Sequence, residues 1–322
     1  MPSRRLPRFH RDPSPPRVEV TPRDCEILSH IQRHRFLRSS HLVSLLGGSP
    51  QPILRRLQLL YHAGFLDRPR AQLDYFHQGG SRAIVYGLGR AGATLLKRNP
   101  ESPGARSDRT DRTQVVGRLF LEHALLISDI MVALEIACRR RDHVRLITQD
   151  ELWPAGDKRH GSEPFRWEVR LNSQIKIGVI PDQVFGLEFT GPGSRPKRAL
   201  FFLEADRGTM PVRRAGLSRT SFHRKLLAYQ ATWTQGIHRT RFGFDRFRVL
   251  TVTGSPTRLK TMIDACRTLE RGQGLFLFAD SKALQTTDDF LAMAWSSGRN
   301  GESESVMDHG DSPRDTSKGE SA

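Results

Sequence analysis

The sequence predicts an α+β or α/β protein in which a small helical domain precedes a mixed sheet flanked by helices, in the order αβββαβαβ. Two observations predict this class. Short amphipathic helical segments fill the first hundred residues, and strongly apolar strand-like runs alternate with helical segments in the second half. Because strands this apolar must be covered on both faces, we expect helices on each side of the sheet.

The chain is strongly basic. Its 322 residues include 51 Lys and Arg against 34 Asp and Glu, for a formal net charge of +17. Such a balance attracts polyanions, so double-stranded DNA is the expected partner. Neither a membrane-length apolar run nor a secretory signal is present, which predicts no membrane contact and a cytoplasmic location. The three widely spaced cysteines predict neither disulfides nor a thiolate zinc site.

Composition divides the chain into five segments. Both ends lack apolar periodicity and are expected to be disordered, the first being basic and the last acidic. The predicted segments are a basic arm at 1–19, a DNA-binding domain at 20–98, a polar linker at 99–113, a second domain at 114–282, and a C-terminal segment with an acidic tail at 283–322.

Helix boundaries in the first domain are marked by capping signals. Thr21, followed by Pro22 and Asp24, predicts a capping box at the start of the first helix. A second helix begins near Ser39 or Ser40 and stops at the glycine pair 47–48. The third runs from Pro50 and stops at Gly64.

The third helix has an apolar face and an opposite polar stripe. Its buried face is predicted to contain Ile53, Leu57, Leu60 and Tyr61. The side chains expected to contact DNA are Gln51, Arg55, Arg56, Gln58 and His62. Two strands, LDYFHQ and AIVYGL, then predict a wing with Arg82 at its tip. This block resembles a winged helix-turn-helix domain, although any soluble three-helix domain would also expose a polar face.

A glycine motif, GLGRAG, follows the second of these strands and matches the dinucleotide-binding spacing G-x-G-x-x-G. Its context argues against that function. The helix after it is short, ends before Pro100, and is not followed by a parallel strand. We expect the glycines to join the wing to a last helix.

Three carboxylates are predicted to meet in the second domain. Asp182 lies in the second strand, and Glu204 and Asp206 point to one face of the third. If these strands are adjacent and antiparallel, the acids come together, and a cation would relieve their repulsion. Carboxylate oxygens favour Mg²⁺, which activates water at phosphodiesters. The alternative is an ordinary ion-pair cluster with no metal.

The strand order with "PD" and "EAD" resembles the PD-(D/E)XK nucleases, whose fold is restriction-endonuclease-like. This resemblance implies a metal-dependent DNA endonuclease with Asp182 and Glu204 as ligands. The family places a lysine two residues after the glutamate, where this chain has Asp206. Lys225 on the next helix and Arg207 beside Asp206 are the candidates for that basic role. Whether the chain is an enzyme therefore stays open.

Over residues 20 to 280 the chain is similar to the replication-relaxation family of bacterial plasmids and mobile elements. The passages that carry the similarity are RRLQLLYHAGFLDR, VYGLGRAG, LEHALLISD, VIPDQVFGLEF, FFLEADRGTMP and RKLLAYQ. The resemblance implies a role in plasmid replication or DNA relaxation, with replication or mobilisation proteins as partners.

Three functions remain open on the sequence. The favoured one is a DNA-binding protein of replication or relaxation whose nuclease-like domain has little catalysis of its own. The second is a Mg²⁺-dependent nuclease or nickase that uses Asp182 and Glu204. The third is a winged-helix transcriptional regulator whose second domain binds a protein partner or forms a homodimer. A tyrosine nucleophile is disfavoured, because Tyr229 is expected to be a packed aromatic residue with a satisfied hydroxyl.

Overall fold

The computed structural model describes residues 8–15, 17–73, 83–98, 116–153, 165–191 and 195–308. Its internal contacts divide the chain into two compact units, Met1–Val132 and Ala133–Ala322. The division falls inside one long helix. Each unit is described by itself below.

The first unit contains helices around a small antiparallel sheet. The three strands lie in the order β1-β3-β2. In chain order the elements are α1 (Pro22–His34), β1 (Phe36–Arg38), α2 (Ser39–Leu46), α3 (Pro50–His62), β2 (Leu66–Asp67), a 3-10 turn (Arg70–Gln72), β3 (Val85–Leu88), α4 (Arg90–Arg98) and the start of α5 (Arg118–Arg139).

The start of α1 confirms the predicted capping box. The Thr21 hydroxyl accepts from the Asp24 backbone N–H, and the Asp24 carboxylate accepts from the Thr21 N–H at 2.7 Å. Asp24 is fully buried and also accepts from Nε of Arg56 at 2.7 Å. Burial opposes ionisation of Asp24, but Arg56 and Thr21 outweigh it and lower the pKa of the carboxyl. Asp24 therefore ties α3 to the beginning of α1.

The N-terminal arm is ordered over part of its length, so the expectation of disorder for 1–19 is wrong there. Arg11 donates to the carbonyls of Tyr61 at 3.0 Å and Leu66 at 2.9 Å. The Asp12 N–H donates to Nδ1 of His62 at 3.0 Å. These contacts are long-range, which is why local apolar periodicity could not reveal them.

The sheet of the first unit differs from the predicted hairpin. β3 pairs with β1 on one side and with β2 on the other, both antiparallel. β1, at Phe36–Arg38, was not predicted because three residues carry no period-2 signal. The predicted strand LDYFHQ and the wing tip with Arg82 fall almost entirely at 74–82, outside the described residues.

The glycine motif packs α4 against the turn after α3. A Cβ at Gly92 would lie 2.3 Å from the carbonyl oxygen of Phe65, and one at Gly89 would lie 2.4 Å from that of Gly64. The N–H groups of Gly89 and Ala91 donate to these same two carbonyls. Because the amides are already used within the protein, the motif serves packing and does not cradle a dinucleotide phosphate.

The second unit is built on a mixed seven-stranded sheet, which confirms the mixed α and β class. Strand order is β12-β11-β10-β9-β8-β7-β4, with β5 and β6 in a separate hairpin. After α5 the elements are β4 (Val144–Ile147), α6 (Gln149–Leu152), β5 (Trp167–Arg170), β6 (Lys176–Val179), β7 (Gln183–Phe189), β8 (Lys197–Asp206), α7 (Phe222–Thr234), α8 (Ile237–Thr240), β9 (Phe247–Thr253), α9 (Pro256–Arg267), a 3-10 turn (Gln273–Leu275), β10 (Phe276–Asp280), α10 (Ser281–Thr286), a second 3-10 turn (Phe290–Ala292), β11 (Trp295–Ser297) and β12 (Ser303–Glu304).

The central strands run as the sequence predicts. β7 is antiparallel to β4 and to β8, whereas β8, β9 and β10 are parallel neighbours. The predicted continuous strand IKIGVIPDQVFGLEF is wrong, because it divides at 180–182 into β6 and β7, which belong to different sheets. Pro181 explains the break, since a proline cannot donate to a ladder.

The segment 283–308 is also more ordered than predicted. β11 pairs with β10, and β12 extends the sheet by one further strand. Trp295 is fully buried and packs edge-on against Phe290, with ring centroids 5.6 Å apart. The expectation that the acidic end is disordered is therefore wrong as far as 308. Among the described helices, none combines the length and apolarity needed to cross a bilayer.

We predict that Asp24→Ala lowers the free energy of unfolding by about 2 kcal/mol, because it removes a helix cap and leaves Arg56 without its buried partner. Urea denaturation followed by circular dichroism measures the change. The matched control is Asp264→Ala, since Asp264 is half exposed and pairs with Arg267 at 3.5 Å within one helix. We expect the control to cost less than about 0.5 kcal/mol. Equal effects of the two substitutions would contradict the assignment.

Candidate functional site

Polar side chains follow apolar ones at the same end of β8 and β9. Leu200 and Phe202 of β8 lead to Glu204 and Asp206 on the same face. In the parallel ladder Glu204 is in register with Thr251, and Asp206 with Thr253. The apolar part of this face packs under α7, so the polar part lies where the buried core ends. Carboxyl ends of parallel strands are the usual place for a binding site in such sheets.

The Glu204 carboxylate is buried between two side chains of α7. It is 3% exposed. Tyr229 donates its hydroxyl to Oε1 at 2.6 Å, and the Lys225 ammonium is hydrogen-bonded to Oε2. Lys225 and Tyr229 are four residues apart, so they project from the same side of the helix. The predicted satisfied hydroxyl of Tyr229 is present, and its acceptor is the candidate site residue itself.

Burial dominates the ionisation of this group. It raises the pKa of Glu204 from its usual 4.5 to about 7, against the lowering effect of Lys225, and the negative charge of Asp182 adds to the increase. For Lys225, burial alone would lower the pKa, but Glu204 and Asp182 outweigh it and raise the pKa above its usual value. Lys225 therefore stays protonated at neutral pH and cannot accept a proton there.

Asp182 lies beside Glu204 at the start of β7. Its backbone N–H donates to the carbonyl of Leu203 at 3.0 Å, which continues the ladder beyond the strand. Its Oδ2 accepts from the N–H of Ala205 at 2.8 Å. These two bonds flank Glu204 in sequence and place the Asp182 carboxylate at the same strand end. The predicted approach of Asp182 and Glu204 across antiparallel strands is thus observed.

Asp206 is turned toward a different helix. Its carboxylate forms a two-pronged ion pair with Arg258 in the first turn of α9, including Nη2 to Oδ1 at 2.8 Å. Oδ2 also accepts from the Thr253 hydroxyl at 2.8 Å and from the Gly208 N–H at 3.1 Å. With both oxygens engaged in this way, Asp206 has the contacts of a structural ion pair.

The three acids do not form one ligand group. Among the described residues, Asp182, Glu204 and Asp206 do not bring three carboxylate oxygens within 4.8 Å of one another. Asp182 and Glu204 remain as a pair of hard oxygen donors. One or two carboxylates completed by water and substrate phosphate are the set that Mg²⁺ commonly uses. Asp182 and Glu204 supply this type of donor, with the Glu204 oxygens also bonded to Tyr229 and Lys225, whereas Asp206 is held in a two-pronged ion pair with Arg258.

Sequence reasoning missed the residues that complete the site from α7, β9 and α9. The sequence predicts a satisfied hydroxyl for Tyr229 but not its acceptor, and it assigns no role to Arg258 or Thr253. The Thr251 hydroxyl is fully buried in register with Glu204 and has no hydrogen-bond partner in the described part of the chain. These residues are revealed only by strand register and helix packing, because nothing in their local sequence marks them.

In the first unit, α3 exposes part of the predicted DNA-contacting stripe. Gln51 and Arg55 are exposed and Gln58 is half-buried. The turn before α3 has Gly47 and Gly48 at positive φ, 66° and 84°, as the predicted tight glycine turn requires.

Two of the side chains expected to contact DNA instead form hydrogen bonds within the protein. His62 is 2% exposed and accepts from the arm at Asp12, so its predicted place on the solvent face is wrong. The stripe drifts around the helix by its last turn, and the arm covers that end. The guanidinium of Arg56 is bound to Asp24 and to the carbonyl of Glu19. Arg55, its neighbour, makes no such contact within the described residues.

We predict that the contribution of Glu204 to the stability of the protein falls as pH rises from about 4.5 to about 7. Glu204 keeps its proton in the folded state but releases it in the unfolded state over this window, so its contribution is complete below 4.5 and lost above 7. Glu204→Gln should remove this slope, measured by urea denaturation across pH. As the control, Glu188→Gln should leave the window unchanged, since bonds from Arg198 and Arg145 lower the pKa of Glu188. An unaltered slope in Glu204→Gln would refute the prediction.

The sequence matches the family described as replication-relaxation over residues 28–246, which is more than half of the chain. Comparison with curated proteins and with solved structures gave no match. The matched segment includes α3 of the first unit and, in the second, Asp182, Glu204 and Lys225. On the strength of this match, the chain belongs to the replication-relaxation family.

Proposed function

We propose that this protein binds double-stranded DNA through α3 of its first unit and acts in the replication or relaxation of a plasmid or mobile element. The family suggests the replication setting. The observation that carries the DNA-binding proposal is the arrangement of the first unit, in which the polar side of α3 is left exposed beside a tight glycine turn.

The order of elements supports this proposal. Helix α1, strand β1, helices α2 and α3, and strands β2 and β3 follow one another, and the three strands form the sheet β1-β3-β2. This order resembles that of winged helix-turn-helix domains, in which the helix after the tight turn enters the major groove. Gln51 and Arg55 occupy the N-terminal half of α3, which is the half that contacts base edges in such domains.

Charge supports it as well. The formal net charge of +17 favours contact with phosphates, and the structure leaves Arg55 exposed while Arg56 neutralises Asp24. Adjacent arginines therefore have different proposed roles. Arg56 stabilises the fold, and Arg55 contacts DNA.

We predict that Arg55→Ala weakens binding to duplex DNA about fivefold and reduces the slope of log affinity against log salt by about one, because one phosphate or base contact is lost. Fluorescence anisotropy over a salt series measures both quantities. Arg56→Ala is the matched variant, and we expect it to lower the midpoint of thermal unfolding, which Arg55→Ala should leave in place. An Arg55→Ala protein with unchanged affinity and slope would exclude this DNA contact.

A second candidate function, metal-dependent DNA cleavage, rests on the group formed by Asp182, Glu204 and Lys225. The helix, three antiparallel strands, helix and parallel strand from α5 to β9, apart from the hairpin β5-β6, follow an order that resembles the PD-(D/E)XK fold. Lys225 supports the idea that the basic residue of that family has moved to the following helix, since its ammonium reaches Glu204 from there.

The residues would act in distinct ways. Asp182 and Glu204 would hold Mg²⁺, which when bound lowers the pKa of its water and polarises a phosphodiester. Lys225 stays protonated beside them, so it would stabilise negative charge developing on the phosphate and would not serve as a general base. Tyr229 fixes the orientation of the Glu204 carboxylate from inside the core.

If this second function is correct, the protein nicks or linearises supercoiled plasmid in Mg²⁺ or Mn²⁺, and Asp182→Ala abolishes the cleavage while DNA binding persists. Agarose gels and anisotropy on the same preparations measure the two. Glu188→Ala, on the same strand but in an exposed pair with Arg198, should retain full activity. If the wild-type protein binds DNA without cleaving it, only the DNA-binding function is supported. If Asp182→Ala cleaves DNA as well as the wild-type protein does, this group of residues is excluded as the catalytic site.

A further inference from the structure

The first unit contains an open groove outside the proposed DNA-contacting face. Its volume is about 750 Å³, and it is lined by α4, by the turn after α3 and by the N-terminal segment. Its apolar lining residues are Val20, Phe65, Ala91 and Leu95, whereas Arg90 and Arg98 also line it. The groove therefore combines an apolar surface with basic side chains.

The glycines of GLGRAG build this groove. Without side chains at Gly89 and Gly92, the first turn of α4 approaches the backbone of Gly64 and Phe65 directly. Backbone hydrogen bonds from Gly89 to Phe65 at 2.9 Å and from Ala91 to Gly64 at 3.2 Å fix the contact. One wall is thus held by backbone packing and does not need a ligand to form it.

The basic side chains are available for a partner. Arg90 and Arg98 are exposed, and neither forms an ion pair or side-chain hydrogen bond with another residue of the described part of the chain. Arg11, which also lines the groove, is instead paired with Asp67. Since Arg90 and Arg98 stand at the two ends of α4, they are separated by about 12 Å along its axis.

We propose that this groove binds an acidic amphipathic helix of a partner protein. Carboxylates two helical turns apart on such a helix match the spacing of Arg90 and Arg98, and apolar side chains between them would pack on Phe65 and Leu95. Because Arg90 and Arg98 are about 12 Å apart, a single small carboxylate cannot bind both of them. This proposal does not depend on the DNA-binding or nuclease function of the protein.

Other occupants fit the groove less well. The chain's own end, HGDSPRDTSKGESA at 309–322, contains no Val, Leu, Ile, Met, Phe, Tyr or Trp, so it offers no large apolar side chain for the apolar lining. Duplex DNA would satisfy the arginines, but its phosphate backbone would leave Val20, Phe65 and Leu95 without apolar contact. An acidic helix with an apolar face satisfies both parts.

The test uses the full chain and a fluorescein-labelled synthetic helix, in which leucines occupy one face and glutamates flank them seven residues apart. We expect saturable binding by anisotropy, at least tenfold weakened in an Arg90→Glu, Arg98→Glu double variant. The same variant should bind a matched peptide with lysines in place of the glutamates, so a folding defect is distinguished from loss of charge. Lys260→Glu, an exposed charge reversal on α9 outside the groove, should leave peptide binding unchanged.

The proposal is overturned if the wild-type protein does not bind the glutamate peptide, or if the double variant binds it with unchanged affinity. It is also overturned if serines in place of the leucines leave binding unaltered, since the apolar lining would then have no role. If binding of a short DNA duplex depends on Arg90 and Arg98 but binding of the peptide does not, the groove is a DNA-binding surface and the proposal is overturned. The proposal is supported if binding of the peptide requires both its glutamates and its leucines, and if the double variant binds the lysine peptide.

Discussion

The second unit depends on the neutralisation of two neighbouring acids on one buried strand by cations from two different helices. Glu204 is paired with Lys225 of α7, and Asp206 with Arg258 of α9. Adjacent like charges of this kind would repel strongly in a protein interior, and removing one partner of a buried pair is costly. The two ion pairs thereby fix both helices against the end of the sheet where the candidate site lies.

This arrangement also separates the two acids in function. Asp206 is enclosed by its arginine and by Thr253, so it stabilises the junction of β8, β9 and α9. Glu204 instead lies beside Asp182 at the end of the strand, and its pKa is raised to about 7 because a carboxylate is buried there beside another one. A perturbed carboxyl next to a fixed lysine is the kind of group that functional sites contain.

Local signals predicted the elements that local chemistry determines. The capping box of Thr21, the glycine turn before α3 and the apolar face with Ile53 and Leu57 all follow from neighbours within four residues. The ordered arm at Arg11 and the added strand at Trp295 did not follow, because each is ordered by contacts with residues far away in the sequence.

The candidate site was predictable to the same limit. Strand periodicity and order indicate that Asp182 and Glu204 meet. Because β8 lacks the lysine that the PD-(D/E)XK family has after its glutamate, Lys225 on the next helix is a candidate for the basic residue. The sequence could not indicate the partner of Asp206. Arg258 lies in a different helix and reaches Asp206 only through the parallel pairing of β8 with β9. The same is true of Tyr229, whose hydroxyl direction depends on helix packing.

Hydrogen–deuterium exchange with a DNA duplex at low salt tests whether α3 of the first unit contacts DNA, as we propose. We expect slowed exchange in the turn and first half of α3, around Gly48 and Arg55, with little change at the end covered by the arm near His62. DNA that binds tightly while leaving exchange in the first half of α3 unaltered would contradict it and require another DNA-binding surface.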